Sequence, residues 1–206
     1  MLIGITGKAR SGKDTFAELL ANALFETDGQ RFVLMAYAHE LKLRVQRDFD
    51  LSYEQLWGDE KESYDKRYSK NRNNYVAGRR DYDEIKENFW SAREILQEYG
   101  QFFRTIHPNF WVAALFDVIE DKEYKNVIIT DVRHPNEADP VKERGGYIIR
   151  VSRFTKETIN GSNHISETAM DDYKADLDVI NNGSLEELKK VAHETVELLK
   201  ELFGGN

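Results

Sequence analysis

Near its amino terminus the chain reads Leu2-Ile3-Gly4-Ile5-Thr6-Gly7-Lys8-Ala9-Arg10-Ser11-Gly12-Lys13-Asp14-Thr15-Phe16. The run Leu2–Thr6 is mostly apolar and β-branched, which predicts a buried strand. After Gly12, apolar residues recur at helical spacing, at Phe16, Leu19, Leu20, Ala23 and Leu24. The stretch therefore predicts a strand, a tight loop and an amphipathic helix, in that order.

The loop segment from Gly7 to Lys13 fits the pattern G-x-x-x-x-G-K, a phosphate-binding loop (P-loop). Glycines permit the backbone to turn its N–H groups toward an anion, and the following helix adds its positive amino-terminal end. We expect Lys13 to reach the β- and γ-phosphates of a bound nucleoside triphosphate. The residues predicted to bind this nucleotide are Gly7, Lys8, Ala9, Arg10, Ser11, Gly12, Lys13, Asp14, Thr15 and Phe16.

A magnesium site is predicted beside the loop. The lysine of this pattern is normally followed by Ser or Thr, which helps to hold Mg²⁺, but here Asp14 takes that place and Thr15 follows. The apolar run 127–130 ends at Asp131, and a strand-end carboxylate commonly lies beside the Mg²⁺ of P-loop proteins. Thr15 and Asp131 are therefore the predicted metal ligands. A simple turn role for Asp131 is the alternative.

Strand and helix patterns alternate along the rest of the chain. Further strands are predicted at residues 32–37, 127–130, 147–151 and Leu177–Ile180, and a helix at residues 39–49. A capping box of Ser184 and Glu187 opens a carboxy-terminal helix, with Leu188, Val191, Thr195, Leu199 and Leu202 on one face. This order predicts an α/β fold in which helices cover both faces of a parallel sheet, with ligands at the carboxyl ends of the strands.

The length of 206 residues predicts one domain with a core formed by residues 1–50 and 91–206. Residues 58–88 are rich in charge and tyrosine, so we interpret segment 51–90 as an insertion that binds an acceptor. A solvated loop is the alternative.

Composition narrows the classes of partner. The formal net charge is −8, which disfavours nucleic acid, and no apolar run reaches the roughly 20 residues that span a membrane. There are no cysteines, which fits a reducing, cytoplasmic compartment. We expect small-molecule partners, and a homodimer is left open.

Several blocks resemble the deoxynucleoside monophosphate kinases of tailed bacteriophages. The similarity lies in Arg10-Ser11-Gly12-Lys13-Asp14-Thr15, Tyr37-Ala38 with Leu41-Lys42, Arg93-Glu94-Ile95-Leu96-Gln97 with Arg104 and Trp111, Asp131-Val132-Arg133-His134-Pro135-Asn136-Glu137 with Gly145-Gly146, and His164-Ile165-Ser166-Glu167. The resemblance implies an adenylate-kinase-like fold with a core, an acceptor-binding segment and a lid. It also implies ATP as phosphoryl donor, Mg²⁺, and a deoxynucleoside monophosphate as acceptor, with the host cytoplasm as location.

The resemblance also suggests where the acceptor binds. The substrate residues it implies are Tyr37, Ala38, Lys42, Arg93, Gln97, Arg104 and Trp111. Helical spacing independently places Arg93, Gln97, Gly100 and Arg104 on one stripe of a helix that Ser91 and Glu94 begin. Ile95, Tyr99, Phe102 and Ile106 are predicted to face the core. A solvated helix face would produce the same pattern.

Basic residues beyond the loop distinguish the remaining functional alternatives. The predicted catalytic residues are Lys13, Arg10, Asp131, Arg133, Arg150 and Arg153, with the later arginines expected to include the lid. P-loop kinases of dephospho-coenzyme A or phosphomevalonate stay open as alternatives, as does a nucleotide-binding switch without catalysis. The number of arginines favours a kinase over a switch, because phosphoryl transfer requires positive charge around the phosphates.

Overall fold

The computed structural model describes residues 1–70, 88–154 and 169–203. The resemblance block at residues 164–167 and part of segment 51–90 lie outside these described residues. Among the described residues, no helix is long and apolar enough to cross a membrane.

The strands are β1 (Leu2–Thr6), β2 (Val33–Met35), β3 (Tyr64–Ser69), β4 (Phe89–Ser91), β5 (Val127–Val132), β6 (Tyr147–Ser152) and β7 (Leu177–Ile180). The α-helices are α1 (Lys13–Asp28), α2 (Tyr37–Phe49), α3 (Tyr53–Leu56), α4 (Ala92–Ile106), α5 (Phe110–Asp121), α6 (Pro135–Glu143) and α7 (Leu185–Phe203). The chain divides into two compact units, one formed by Met1–Tyr37 with Val112–Asn206 and the other by Ala38–Trp111.

The first unit is built on a parallel sheet with the strand order β2-β5-β1-β6-β7. Alternate residues of β5 belong to different cores: Ile128 packs in one cluster and Val127 and Ile129 in the other. Helices α1 and α7 complete the first cluster, and residues of α5 and α6 complete the second. The predicted α/β fold with helices on both faces of a parallel sheet is therefore confirmed.

Three predictions for this unit are wrong in detail: two concern where a strand ends, and one concerns which residues of a helix are buried. The strand predicted at 32–37 ends at Met35, and Tyr37 already begins helix α2. Asp131 is the penultimate residue of β5 rather than the residue after it. Leu202 of α7 is 48% exposed, and the buried residues of this helix are Leu188, Ala192, Thr195, Val196 and Leu199.

The second unit contains a mixed helical and antiparallel arrangement. Strand β3 pairs antiparallel with β4, and its core combines Leu41 and Val45 of α2 with Leu56, Ile95 and Trp111. This unit extends beyond segment 51–90 on both sides. The partition into core and acceptor-binding insertion stays a prediction.

Candidate functional site

The predicted phosphate-binding loop connects β1 to α1. Gly12 lies directly before the helix with φ 86°, a left-handed conformation that favours glycine. A Cβ atom on Gly7 would lie 2.4 Å from the carbonyl oxygen of Val151, so only glycine fits against the end of β6. The backbone path and the close packing both explain why glycines stand at these two positions.

The loop has the features expected of a phosphate cradle. Lys13 is the first residue of α1 and its Nζ lies 3.6 Å from the Asp14 carboxylate, which is itself largely exposed. Ser11 Oγ is buried, and none of the residues that the structure describes forms a hydrogen bond with it. A buried hydroxyl without a partner, beside a helix amino terminus and a lysine, fits an anionic ligand. The loop residues are thus compatible with the phosphates of a nucleotide.

A cavity of about 320 Å³ lies beside the loop, at the carboxyl ends of β5 and β6. Its basic lining residues are Lys8, Arg133, Arg150 and Arg153. The fold therefore brings three of the predicted catalytic arginines to one cavity, although they are distant from the loop in sequence. Lys8 Nζ lies 3.1 Å from Asp171, which also lines the cavity.

The arginines of this cavity differ in their surroundings. Arg150 is mostly buried, and its Nη2 donates to the carbonyl oxygens of Met170, at 2.8 Å, and Tyr173. These contacts favour a structural role for Arg150, which anchors the segment after residue 168. Arg133 and Arg153 have exposed side chains. The fourth predicted arginine, Arg10, is an exposed loop residue with φ 62°.

Asp131 is half-buried and already has a structural contact. Its Oδ1 accepts a 2.7 Å hydrogen bond from the backbone N–H of Tyr37, at the start of α2. The predicted metal ligand Thr15 is exposed in the first turn of α1. Over the described ranges, no group of three acidic or histidine side chains could hold a metal ion. Mg²⁺ is commonly bound by one or two carboxylates together with substrate phosphates, and the assignment of Thr15 and Asp131 to this ion stays a prediction.

Tyr37 was predicted to contact substrate, but its side chain is only 3% exposed. Its hydroxyl donates a 2.6 Å hydrogen bond to the carbonyl oxygen of Glu137. Burial, together with the nearby Glu137 and Asp131 carboxylates, raises the pKa of the Tyr37 phenol far above its usual value. These contacts favour a packing role for the side chain over the substrate contact that we predicted.

In the second unit, the capping box of Ser91 and Glu94 is confirmed at the start of α4. Arg93 is exposed and forms a salt bridge with Glu62, and Gln97 is exposed on the same face. Arg104 is half-buried. Because their side chains are exposed, Arg93 and Gln97 are accessible to a ligand.

The predicted core face of α4 is wrong in part. Phe102 and Ile106 are 61% and 65% exposed, whereas Gly100 is buried against Leu41. The carbonyl oxygen of Gly100 also accepts a 3.1 Å hydrogen bond from Trp111 Nε1. Gly100 therefore permits close helix packing rather than close approach of a ligand.

Three other predicted substrate residues belong to the second unit. Trp111 is only 3% exposed, which favours a packing role. Lys42 Nζ lies 5.7 Å from the ring centroid of Trp57, a residue that the sequence did not single out. Ala38 is half-buried in the first turns of α2.

Asn181 contacts the loop and was not predicted. Its Nδ2 donates to the carbonyl oxygen of Ser11 at 2.9 Å. Asn181 directly follows β7, and a polar residue at the carboxyl end of a buried parallel strand is a sequence signal that would have found it.

Comparison with known proteins identifies a family and relatives that cover most of the chain. The sequence profile of the deoxynucleotide monophosphate kinase family matches residues 46–191. A putative deoxynucleotide monophosphate kinase of Acanthamoeba polyphaga mimivirus is 31% identical over 195 residues, which cover 91% of each chain. The deoxynucleotide monophosphate kinase of Enterobacteria phage T4 is 29% identical over 133 residues, or 61% of this chain and 54% of that protein.

A solved structure supports the fold independently. Dephospho-CoA kinase from Campylobacter jejuni superposes with a TM-score of 0.51 and covers 97% of both chains. At 12% identity this likeness concerns the fold alone. The profile match and the viral relatives together show that this chain belongs to the deoxynucleotide monophosphate kinase family.

Proposed function

We propose that this kinase transfers the γ-phosphoryl group of ATP, with Mg²⁺, to the phosphate of a deoxynucleoside 5′-monophosphate. The observation that carries the proposal is the loop between β1 and α1, with Lys13 at the helix start and basic side chains in the adjacent cavity. Its products, ADP and a deoxynucleoside diphosphate, would supply DNA synthesis. The absence of cysteine supports a reducing compartment, and we place the reaction in the host cytoplasm.

The donor nucleotide is assigned to the loop from Gly7 to Phe16. Backbone N–H groups and the start of α1 would bind the β- and γ-phosphates, and the Lys13 ammonium would neutralise their charge. Asp131 and Thr15 would hold Mg²⁺, which when bound neutralises charge on the phosphate oxygens. An oxygen of the acceptor phosphate forms a bond to the γ-phosphorus as the bond to the β–γ bridging oxygen breaks.

The arginines are assigned to the transferring phosphoryl group. Arg10, Arg133 and Arg153 are exposed, and the last two line the cavity beside the loop. A guanidinium matches phosphate oxygens in a bidentate geometry and keeps its charge at neutral pH. Arg150 is assigned to the same cavity, but its backbone contacts support a positioning contribution more than direct contact.

The second unit is assigned to the acceptor, with segment 51–90 as part of it. Arg93 would exchange Glu62 for the acceptor phosphate, and this exchange is inexpensive because an exposed salt bridge contributes only about 0–1 kcal/mol. Gln97 lies one turn further along α4 and would recognise the sugar or base. Ala38, Lys42 and Arg104 complete the proposed set, and Tyr37 and Trp111 would support it through packing.

The test is a coupled assay of ADP release with ATP, Mg²⁺ and a panel of acceptors. The panel contains deoxy- and ribonucleoside monophosphates, dephospho-coenzyme A and phosphomevalonate. We expect ADP with deoxynucleoside monophosphates and none without an acceptor or with dephospho-coenzyme A or phosphomevalonate, with Lys13→Ala as the inactive control. ADP formation without any acceptor, or with dephospho-coenzyme A or phosphomevalonate alone, would contradict the proposal.

A further inference from the structure

Asn181 makes a buried contact with the phosphate-binding loop. It lies directly after β7, and its side-chain Nδ2 donates a 2.9 Å hydrogen bond to the carbonyl oxygen of Ser11. Its own backbone N–H donates to the carbonyl oxygen of Ser152 at 2.7 Å, which continues the pairing of β7 with β6. Asn181 and Ser11 are 6% and 2% exposed. The contact therefore joins the loop to the end of β7, the edge strand of the sheet.

This hydrogen bond fixes the orientation of one loop peptide. A trans peptide is planar, and its carbonyl oxygen and N–H point in opposite directions. Because the Ser11 carbonyl is directed at Asn181, the N–H of Gly12 is directed to the opposite side of the loop. Loop N–H groups directed away from the sheet contact are those available to an anion.

The backbone of Gly12 packs closely against the side chain of Asn181, which restricts how the Ser11–Gly12 peptide can be oriented. A Cβ atom on Gly12 would lie 2.3 Å from Asn181 Nδ2, so the loop backbone rests directly on the side-chain amide. The Ser11 carbonyl can only accept, so a hydrogen-bond donor must face it. An asparagine amide supplies that donor, and an aspartate of almost the same shape does not.

We propose that Asn181 is a positioning residue for the donor phosphates, because it holds the Gly12 N–H in the direction that binds them. Asn181 itself touches no phosphate, and its effect passes through the Ser11–Gly12 peptide. The inference rests on the proposed function, since it takes the loop to bind the phosphates of the donor.

The experiment compares Asn181→Asp with Asn126→Asp as a matched control. Asn126 lies beside the first residue of β5, where its Oδ1 accepts from the amino-terminal amine of Met1, and its substitution makes the same change in charge. The KM values for ATP and for the acceptor are measured separately, together with the inhibition constant of tripolyphosphate against ATP. Tripolyphosphate offers the phosphates without a base or sugar, so it reports on the loop alone.

For Asn181→Asp we expect the KM for ATP and the tripolyphosphate inhibition constant to rise together, by about tenfold or more, as for a lost buried hydrogen bond. The acceptor KM and the kinetics of Asn126→Asp should equal those of the wild-type enzyme. If Asn181→Asp does not fold, Asn181→Ala serves in the same comparison, with the same two increases expected.

Two results would overturn the inference while leaving the proposed function intact. A raised KM for ATP with an unchanged tripolyphosphate constant would mean that Asn181 contacts the nucleoside instead. A lowered melting temperature with unchanged constants would mean that it only stabilises the fold. A wild-type enzyme that tripolyphosphate does not inhibit would also overturn only the inference, whereas a wild-type enzyme without turnover would overturn the proposed function as well.

Discussion

Asp131 accepts a hydrogen bond from Tyr37 and is proposed to bind Mg²⁺, and two substitutions distinguish these two roles. Its Oδ1 accepts the Tyr37 N–H at 2.7 Å, and its charge is proposed to hold Mg²⁺. Asp131→Asn keeps an oxygen that can accept from Tyr37 but removes the charge. Asp131→Ala removes both the acceptor and the charge. Stability should therefore respond mainly to the second substitution, and metal dependence to both.

The magnitude follows from the contact with the first N–H of α2. Removing a side-chain acceptor from a helix start costs about 0.5–2 kcal/mol, and a hydrogen bond to a charged group contributes about 1.5–3 kcal/mol. Since Asp131 is half-buried, we expect Asp131→Ala to lose about 1–2 kcal/mol. For a chain of this length that loss lowers the melting temperature by about 2–8 °C. Asp131→Asn should stay within about 2 °C of the wild type.

The assays are thermal unfolding followed by circular dichroism, and ADP release as a function of Mg²⁺ at saturating ATP and acceptor. Both variants should need about tenfold more Mg²⁺ or greater for half-maximal rate, in line with the loss of a group that supports a metal site. Asp117→Asn, an exposed change of the same charge on α5, is the control and should match the wild type.

A wild-type Mg²⁺ titration for Asp131→Asn would refute the metal role and leave Asp131 only as the acceptor for Tyr37. Equal losses of stability in Asp131→Asn and Asp131→Ala would refute the other half of the reasoning. The hydrogen bond would then depend on the carboxylate charge, and the two roles could not be separated by these variants.

Three further predictions concern the loop, the acceptor and acid stability. Lys13→Ala should fold normally by circular dichroism and lose kcat by about 10² or more in the ADP-release assay, comparable to losing one preorganised donor; near-full turnover would contradict the loop assignment. Arg93→Ala should raise the acceptor KM or lower kcat without changing the KM for ATP, whereas Glu62→Gln, which releases Arg93, should leave the acceptor KM equal or lower; a matching loss of ATP affinity in Arg93→Ala would place the acceptor elsewhere. A hydrogen bond from Arg67 lowers the pKa of Asp65, so this pair stabilises the fold above the ordinary aspartate pKa of about 4 and the contribution disappears as pH falls through the lowered value. Asp65→Asn should therefore lower the melting temperature at pH 7 and flatten its decline below about pH 4 in a pH series; a parallel decline in both proteins would contradict this assignment.

The sheet and the loop could be predicted because their signals are local. Strand β1 is a mostly apolar run that is followed by a glycine, and helix α1 repeats apolar residues with the period of a buried face. The limits of β2 could not be predicted in the same way. Tyr37 continues the apolar pattern of that strand, but its N–H is taken by Asp131 and the residue begins a helix.

The orientation of α4 shows why periodicity fails for a helix of mixed composition. Phe102 and Ile106 were placed in the core because helical spacing puts them opposite the stripe that contains Arg93 and Gln97, yet the buried face includes Ala92 and Gly100. These small residues carry almost no hydrophobic signal. Gly100 is buried because Leu41 of α2 approaches its backbone, and this demand arises from another helix. A pattern confined to α4 cannot contain that information.

In the candidate site too, features carried by local sequence could be predicted, whereas contacts between residues distant in sequence could not. The bond between Asn181 and Ser11 joins residues 170 positions apart, and that between Tyr37 and Asp131 spans 94 positions, so neither produces a spacing that a motif could record. Both nevertheless lie near the carboxyl ends of parallel strands, β7 and β5. Topology rather than spacing brings them to the loop, because parallel strands of one sheet end at the same edge. Polar residues at the ends of buried strands are therefore candidates for the site even where they belong to no motif. This rule is the reason that Asp131 was predicted, and applied to β7 it would also have selected Asn181.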